Sequence, residues 1–138
     1  MASTDRPIQL EIVTPERHVF SDVVDEVYAP GEVGPFGVLP GHTTLFSSLV
    51  PGVLHFTRGD ETTYMAVTRR GFVEVNNNTV TVLVDACEVA GEIDEARAEA
   101  ARARAEAHLE RREEEADILR ATAAMERSLL RLKVSKLG

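Results

Sequence analysis

The chain has one cysteine, Cys87, and beyond residue 93 it has no proline, no aromatic residue and no glycine before the terminal Gly138. A single thiol cannot close an internal disulfide and has no second cysteine with which to build a metal site. No apolar run approaches the roughly 20 residues that cross a bilayer as a helix. The opening MASTDRPIQL lacks a charged segment followed by an apolar one. It carries an early acid and no Arg/Ser richness, so neither a signal nor a transit peptide is expected. Basic charge is scarce: 15 Lys and Arg stand against 23 Asp and Glu, a net charge of -8. Nucleic acids and anionic lipid surfaces are held by clustered Lys and Arg, so neither nucleic-acid binding nor adsorption to an anionic membrane surface is expected, and without a long apolar run no direct membrane insertion is expected either. No GxxxxGK[ST] phosphate loop occurs.

What is present divides in two. The 138 residues are 43% hydrophobic, enough for one or two small globular units. All seven aromatics and all six prolines lie before residue 73. Residues 1–93 carry 5 basic and 13 acidic groups, whereas residues 94–138 carry 10 of each. The expected fold class is α+β: an N-terminal antiparallel β-sandwich or barrel, residues 1–88, followed by a C-terminal antiparallel α-helical hairpin, residues 89–138.

The strand expectations rest on alternation bounded by turns. Ile8 to Val13 alternates before Thr14-Pro15. Further stretches are Val19-Phe20, 23–29 ending at Pro30-Gly31, 53–57, 62–67, 72–75 and 79–84. Asn76-Asn77-Asn78 tolerates positive φ and reads as a turn.

In the arm, Asp94 stands as an N-cap, with Glu95 in the first turn and Arg97 at the third helical position. Residues 95–115 are almost all strong helix formers. Arg102 with Glu106, and Arg111 with Glu115, stand at ion-pair spacing. Ile118, Thr122, Met125, Leu129 and Leu132 repeat at 4, 3, 4, 3, as in a coiled-coil seam, widened by Leu119 and Leu130. A small-residue face of Ala96, Ala100, Ala103 and Ala107 is expected to receive it. The turn is placed at Arg112–Asp117, although no Gly or Pro there forbids one long helix. Alanine contributes little on burial, and about five large apolar side chains must offset the ordering of some 40 residues. A loosely docked arm is therefore expected.

Catalytic chemistry is weakly supported. His18, His42, His55 and His108 are scattered. Cys87 lies near Asp85 and Glu88, acids that raise a thiol pKa, so it reads as structural. The glycine-rich segment Gly31–His42 has no helix after it to aim N–H groups at a phosphate, and reads as a structured loop that meets a partner. Arg97 and Arg104 share a helix face, as do Arg127 and Arg131. A hairpin centred near 114–115 brings the two pairs to similar heights. Four cations repel unless an anion joins them, and a polyphosphate suits guanidinium forks; the competing reading is a solvated face balanced by Glu residues.

These residues resemble the ε subunit of bacterial rotary ATP synthases. The matching pieces are Ile12–Arg17 with Val19-Phe20-Ser21, Phe36–Leu45, Gly71–Val75 with Val80–Leu83, and Ile93-Asp94-Glu95-Ala96-Arg97-Ala98. Pro35 and Thr44 depart from the usual pattern, which often has Glu and Pro there. The resemblance implies a ten-stranded sandwich and a helical hairpin in a non-catalytic central-stalk subunit. The body would bind the γ subunit and the polar loops of the c-ring, coupling proton transport to ATP synthesis. Gly31, Glu32, Gly37, Gly41 and His42 map to the contact loop. An extended arm would meet the α/β catalytic head and inhibit ATP hydrolysis. A folded arm would hold ATP through Glu88, Ile93, Asp94, Arg97, Ala98, Arg104, Arg127 and Arg131. No cofactor or metal is required, and a role for Mg²⁺ stays open. The implied location is peripheral, at the cytoplasmic face of the inner membrane. Two rival readings are a free-standing ATP-sensing module and a small enzyme.

Overall fold

A computed structural model describes residues 7–111 and 114–138. The opening segment read above for targeting signals falls largely, and the expected hairpin turn partly, outside those residues. The strands are β1 (Ile8–Val13), β2 (His18–Val24), β3 (Glu26–Ala29), β4 (Phe36–Val38) and β5 (Leu45–Leu49). They continue with β6 (Gly52–Arg58), β7 (Glu61–Val67), β8 (Gly71–Asn76), β9 (Thr79–Val84) and β10 (Cys87–Val89). A short 3-10 turn at Ala90–Glu92 leads to α1 (Glu95–Glu110) and α2 (Glu115–Leu137).

Two five-stranded sheets, β2-β1-β9-β8-β5 and β10-β7-β6-β3-β4, form the sandwich. Strand alternation places one face of each in a shared core. Ile8, Leu10 and Ile12 of β1 are buried, and so are Val73 and Val75 of β8, Val80 and Val82 of β9, and Leu54 and Phe56 of β6. The Asn77-Asn78 turn between β8 and β9 has positive φ at both residues, 50° and 59°. That is the geometry whose twist suits a two-residue hairpin.

The sandwich is not wholly antiparallel. β1 runs parallel to β9, with Leu10 opposite Val80 and Ile12 opposite Val82. A parallel neighbour needs a long crossover, and residues 14–78 supply it by building most of the second sheet between the two strands. The segment 31–42 also contains a strand, β4, paired with β3. Alternation could not reveal it, because Phe36-Gly37-Val38 is only three residues long.

The hairpin lies against the outer face of the β10-β7-β6-β3-β4 sheet. Val134 of α2 is buried against Ala66 of β7 and Ala90, with Val53, Tyr64, Ile93 and Leu130 around it. Between the helices, Ala98 and Ala105 on α1 and Ala121 and Ser128 on α2 are buried, each pair seven residues apart. This corrects the expected faces. Ala96, Ala100 and Ala103 are exposed, and Ala107 is half-buried. The stripe read as a seam is not the hairpin core either: Thr122 and Leu129 are exposed, and Ile118, Met125 and Leu132 only half-buried. Alanine recurs on several faces of α1, so composition does not select one. Small residues win at the contact because they let the two axes approach.

The helix boundary shifts the pairing as well. α1 ends at Glu110 and α2 begins at Glu115, so the acids Glu115 and Asp117 sit in the first turn of α2. Negative charge is favourable at a helix N-terminus. Arg120 further fixes Asp117 at 2.5 Å. Helix α2 thus begins within the span, Arg112–Asp117, where the turn was expected.

Candidate functional site

Asp94 caps α1 as its type and position require. Its Oδ1 accepts the backbone N–H of Arg97 at 3.0 Å, satisfying one of the helix's free donors. The cap fixes where α1 starts, and so which way Arg97 and Ala98 face. Between that helix start, the 3-10 turn and α2 lies a cavity of about 460 Å³, lined chiefly by Glu88, Asp94, Arg97, Ala98, Arg104 and Arg131. Six of the eight residues expected to hold ATP thus come together.

Two do not line it. Ile93 turns into the apolar dock beside Val134 and Ala66, so its part is to anchor the helix start. Arg127 is half-buried but outside the cavity lining. Arg104 stands by Arg120 and Ala121 rather than by residues 125–126. Arg131 is held at the cavity by its ion pair with Glu88.

The cavity's acids are already engaged. Arg131 Nε donates to Glu88 Oε1 at 2.5 Å, and both side chains are about 30% exposed, at 29% and 32%. The pair ties α2 directly to β10. Glu92, which the sequence reading missed, also lines the cavity and pairs with Arg17 at 3.1 Å. Arg17 lies 75 residues away in the β1–β2 turn, so no local spacing could have announced that contact. Among the described residues, Arg97 and Arg104 have side chains without an ion pair. The site is thus a pocket whose carboxylates are committed and whose two facing guanidiniums are available to an anion.

On the other flank of α1, Arg102 donates to Glu99 at 2.8 and 2.6 Å and to Glu106 at 2.7 Å. The hydrogen bond from Arg102 is the main reason the Glu99 carboxyl titrates below its ordinary range. These groups hold the solvent face of the helix and take no part in the cavity.

The loop residues separate into two places. Gly31 bridges to Leu49, and the Glu32 N–H donates to the Ser48 carbonyl at 3.0 Å. The Gly41 N–H instead donates to Asn78 Oδ1 at 2.7 Å, with His42 beside it. Leu49 pairs with Gly71 and Leu45 with Val75, so these two groups lie at opposite ends of β5. Gly37 sits between them in β4, where a Cβ would meet the Tyr28 ring at 2.7 Å.

The Cys87 thiol is pushed up to about 11, first by burial and then by Glu92 and Glu88, against the opposing effect of Arg17. The sequence reading named nearby acids; burial is the larger cause. Among the described residues no cluster of His, Cys, Asp and Glu could hold a metal ion. No helix among them is long and apolar enough to cross a membrane.

Residues 7–90 match the family described as ATP synthase, delta/epsilon chain, beta-sandwich domain. Residues 92–136 match the corresponding long alpha-helix domain. The chain is 47% identical over 131 residues to the ATP synthase epsilon chain of Herpetosiphon aurantiacus, covering 95% of this chain and 96% of that protein. It is 46% identical over 129 residues to the epsilon chain of Syntrophobacter fumaroxidans, covering 94% and 96%. Its fold is similar to a chain in the Euglena gracilis mitochondrial ATP synthase structure of OSCP, F1 and c-ring. That likeness has a TM-score of 0.80 at 22% identity, covering 96% of this chain and 82% of the other.

Proposed function

The chain belongs to the ATP synthase delta/epsilon chain family, and from that premise we propose a non-catalytic central-stalk subunit of a proton-translocating ATP synthase. Its sandwich joins the γ subunit to the c-ring at the cytoplasmic face of the bacterial inner membrane. Its hairpin regulates: folded it holds ATP, and extended it reaches the α/β catalytic head and inhibits hydrolysis.

The observation that carries this reading is the unequal attachment of the two parts around one anion-ready cavity. The sandwich has its own core, while α2 contributes Val134 alone to the fully buried dock. A ligand that binds only the docked arm stabilises it by RT ln(1 + [L]/Kd), about 1.4 kcal/mol at ten times Kd. That is close to the burial of a single apolar side chain, so it is enough to shift an arm balanced within a kcal/mol or two. Arg97, Arg104 and Arg131 supply donors for phosphate oxygens. Glu88 and Asp94 stand where an amino or hydroxyl group would meet an acceptor.

For the sandwich, the outer face of the β2-β1-β9-β8-β5 sheet supports γ binding. Phe46, Phe72 and Leu83 are exposed on it, and the two phenylalanine rings stack 5.5 Å apart. An apolar cavity of about 490 Å³ beside Phe72 and Leu83 continues that surface. Contiguous exposed apolar groups of this kind mark protein contacts. Gly31 and Glu32 at one end of β5, and Gly41 and His42 at the other, supply two polar contacts for the neighbouring subunits.

Isothermal titration of the full chain with ATP tests the arm. Binding is expected, and Arg97→Ala is expected to weaken it and to favour the extended arm. No heat at millimolar ATP leaves mechanical inhibition only. Deleting residues 94–138 tests the division: the remaining sandwich is expected to fold and to co-purify with γ. An insoluble product, or one that fails to bind γ, overturns it.

A further inference from the structure

The cavity at the start of α1 does not close at Arg104. A second cavity, of about 320 Å³, lies along the same helix seam toward the 111–114 connection, and Ala101 and Arg104 line both. Together they form one groove on a flank of the hairpin. Among the described residues lining it, the far half presents Arg104, His108 and Arg120 with one acid, Asp117, over four alanines.

We propose that this far half is an anion subsite for phosphates beyond the third in a nucleoside polyphosphate. The inference rests on the ATP reading above and extends it from triphosphates to longer chains. Its basis is the order of charge along the groove. At the linker end every acid is engaged: Glu88 with Arg131, Glu92 with Arg17, and Asp94 with its own helix start. Arg97 and Arg104 follow, seven residues apart, which is about 10.5 Å along the helix axis. An anionic chain laid against those two is directed toward the connection. His108 stands one further turn along, about 6 Å. Arg120 faces it from α2.

The Arg120–Asp117 pair does not close the subsite. Its guanidinium is 77% exposed, and an exposed single pair of this kind contributes little and exchanges readily. A phosphate offers more acceptor oxygens and more charge than one carboxylate. The alanine floor removes side-chain bulk between such a chain and the helix backbones.

Titration of the full chain with ATP and with adenosine 5′-tetraphosphate, at one ionic strength, tests the subsite. The tetraphosphate is expected to bind about five-fold tighter, the effect of one additional exposed charge contact. Arg120→Gln, and separately His108→Gln, is expected to bring the two affinities together. Lys133→Gln, an exposed charge outside the groove, is expected to leave their ratio unchanged. Circular dichroism checks that each variant keeps its helices. Equal affinities in the unaltered chain, or a ratio that survives both groove substitutions, overturn the subsite while ATP binding stands. If neither ligand binds, the nucleotide reading fails and the subsite fails with it.

Discussion

Eighteen buried residues form the main core of the sandwich among the described residues, from Ile8 to Cys87. The dock that holds the hairpin has three, and two of them, Ala66 and Ala90, precede the helices. The same chain thus contains two regimes of burial. In the sandwich, strands expose alternate residues to one closed interior, and large branched side chains fill it. In the hairpin, alanine and serine line the helix contact, so close approach replaces buried area. Short residues bring the axes together and leave little to lose when they part. Leu119, at 65% exposure, and Leu129, at 50%, remain outside the contact.

The largest test of that contrast is truncation on each side of it. Phe56→Ala opens the sandwich core and is expected to cost about 3–5 kcal/mol, read as a lower urea midpoint. Leu129→Ala, on the exposed face of α2, is expected to change the same midpoint by no more than about 0.5 kcal/mol. Comparable losses from the two would show that the hairpin is held as firmly as the sandwich.

Smaller effects follow at the joint. Glu88→Gln leaves Arg131 half-buried without its anion, and about 1 kcal/mol of docking is expected to go with it. Amide exchange in α2 should then rise about five-fold while β1, β8 and β9 keep their protection. If the strands exchange faster too, the pair stabilises the sandwich itself. Asp94→Ala removes the cap of α1 and is expected to cost about 1 kcal/mol, confined to exchange in that helix's first turn. Helix content measured by circular dichroism should fall only slightly.

The effect of pH at Cys87 is confined to alkaline solution. Its folded thiol is pushed up to about 11 from an ordinary value near 9. The folded chain therefore keeps this proton where the unfolded chain has released it, and ionisation favours unfolding. The contribution is fully present below pH 8 and is lost as pH rises from about 9 to 11. Comparing the alkaline stability profile with that of Cys87→Ala isolates it: the difference between the two should narrow across that interval. Slow alkylation of the native thiol at pH 8 is the companion expectation. Rapid modification there would mean that the β10 edge of the sandwich opens readily.

Much of this was legible along the chain because the signals are local. The alternation in Ile8–Val13 and Thr79–Val84, the asparagine turn between β8 and β9, and Asp94 as an N-cap each depend on neighbours within a few residues. The cavity was legible in part. Arg97 and Arg104 share a helix face by arithmetic, and Asp94 follows from the helix start. Arg127 and Arg131 share a helix face by spacing, and only the long-range contact of Arg131 with Glu88 distinguishes them. Glu92 was missed because its partner, Arg17, is brought close only by folding.

Residue order alone was sufficient for the division into an acidic sandwich and a neutral hairpin. Backbone propensity, turn chemistry and alternation act over short distances and need no partner. Tertiary structure decided the parallel pairing of β1 with β9, the alanine face that meets α2, and Arg131 rather than Arg127 at the cavity. Each of those choices compares alternatives that are nearly equal locally. They are separated only by contacts between segments far apart in the chain, where packing and paired charge select one register.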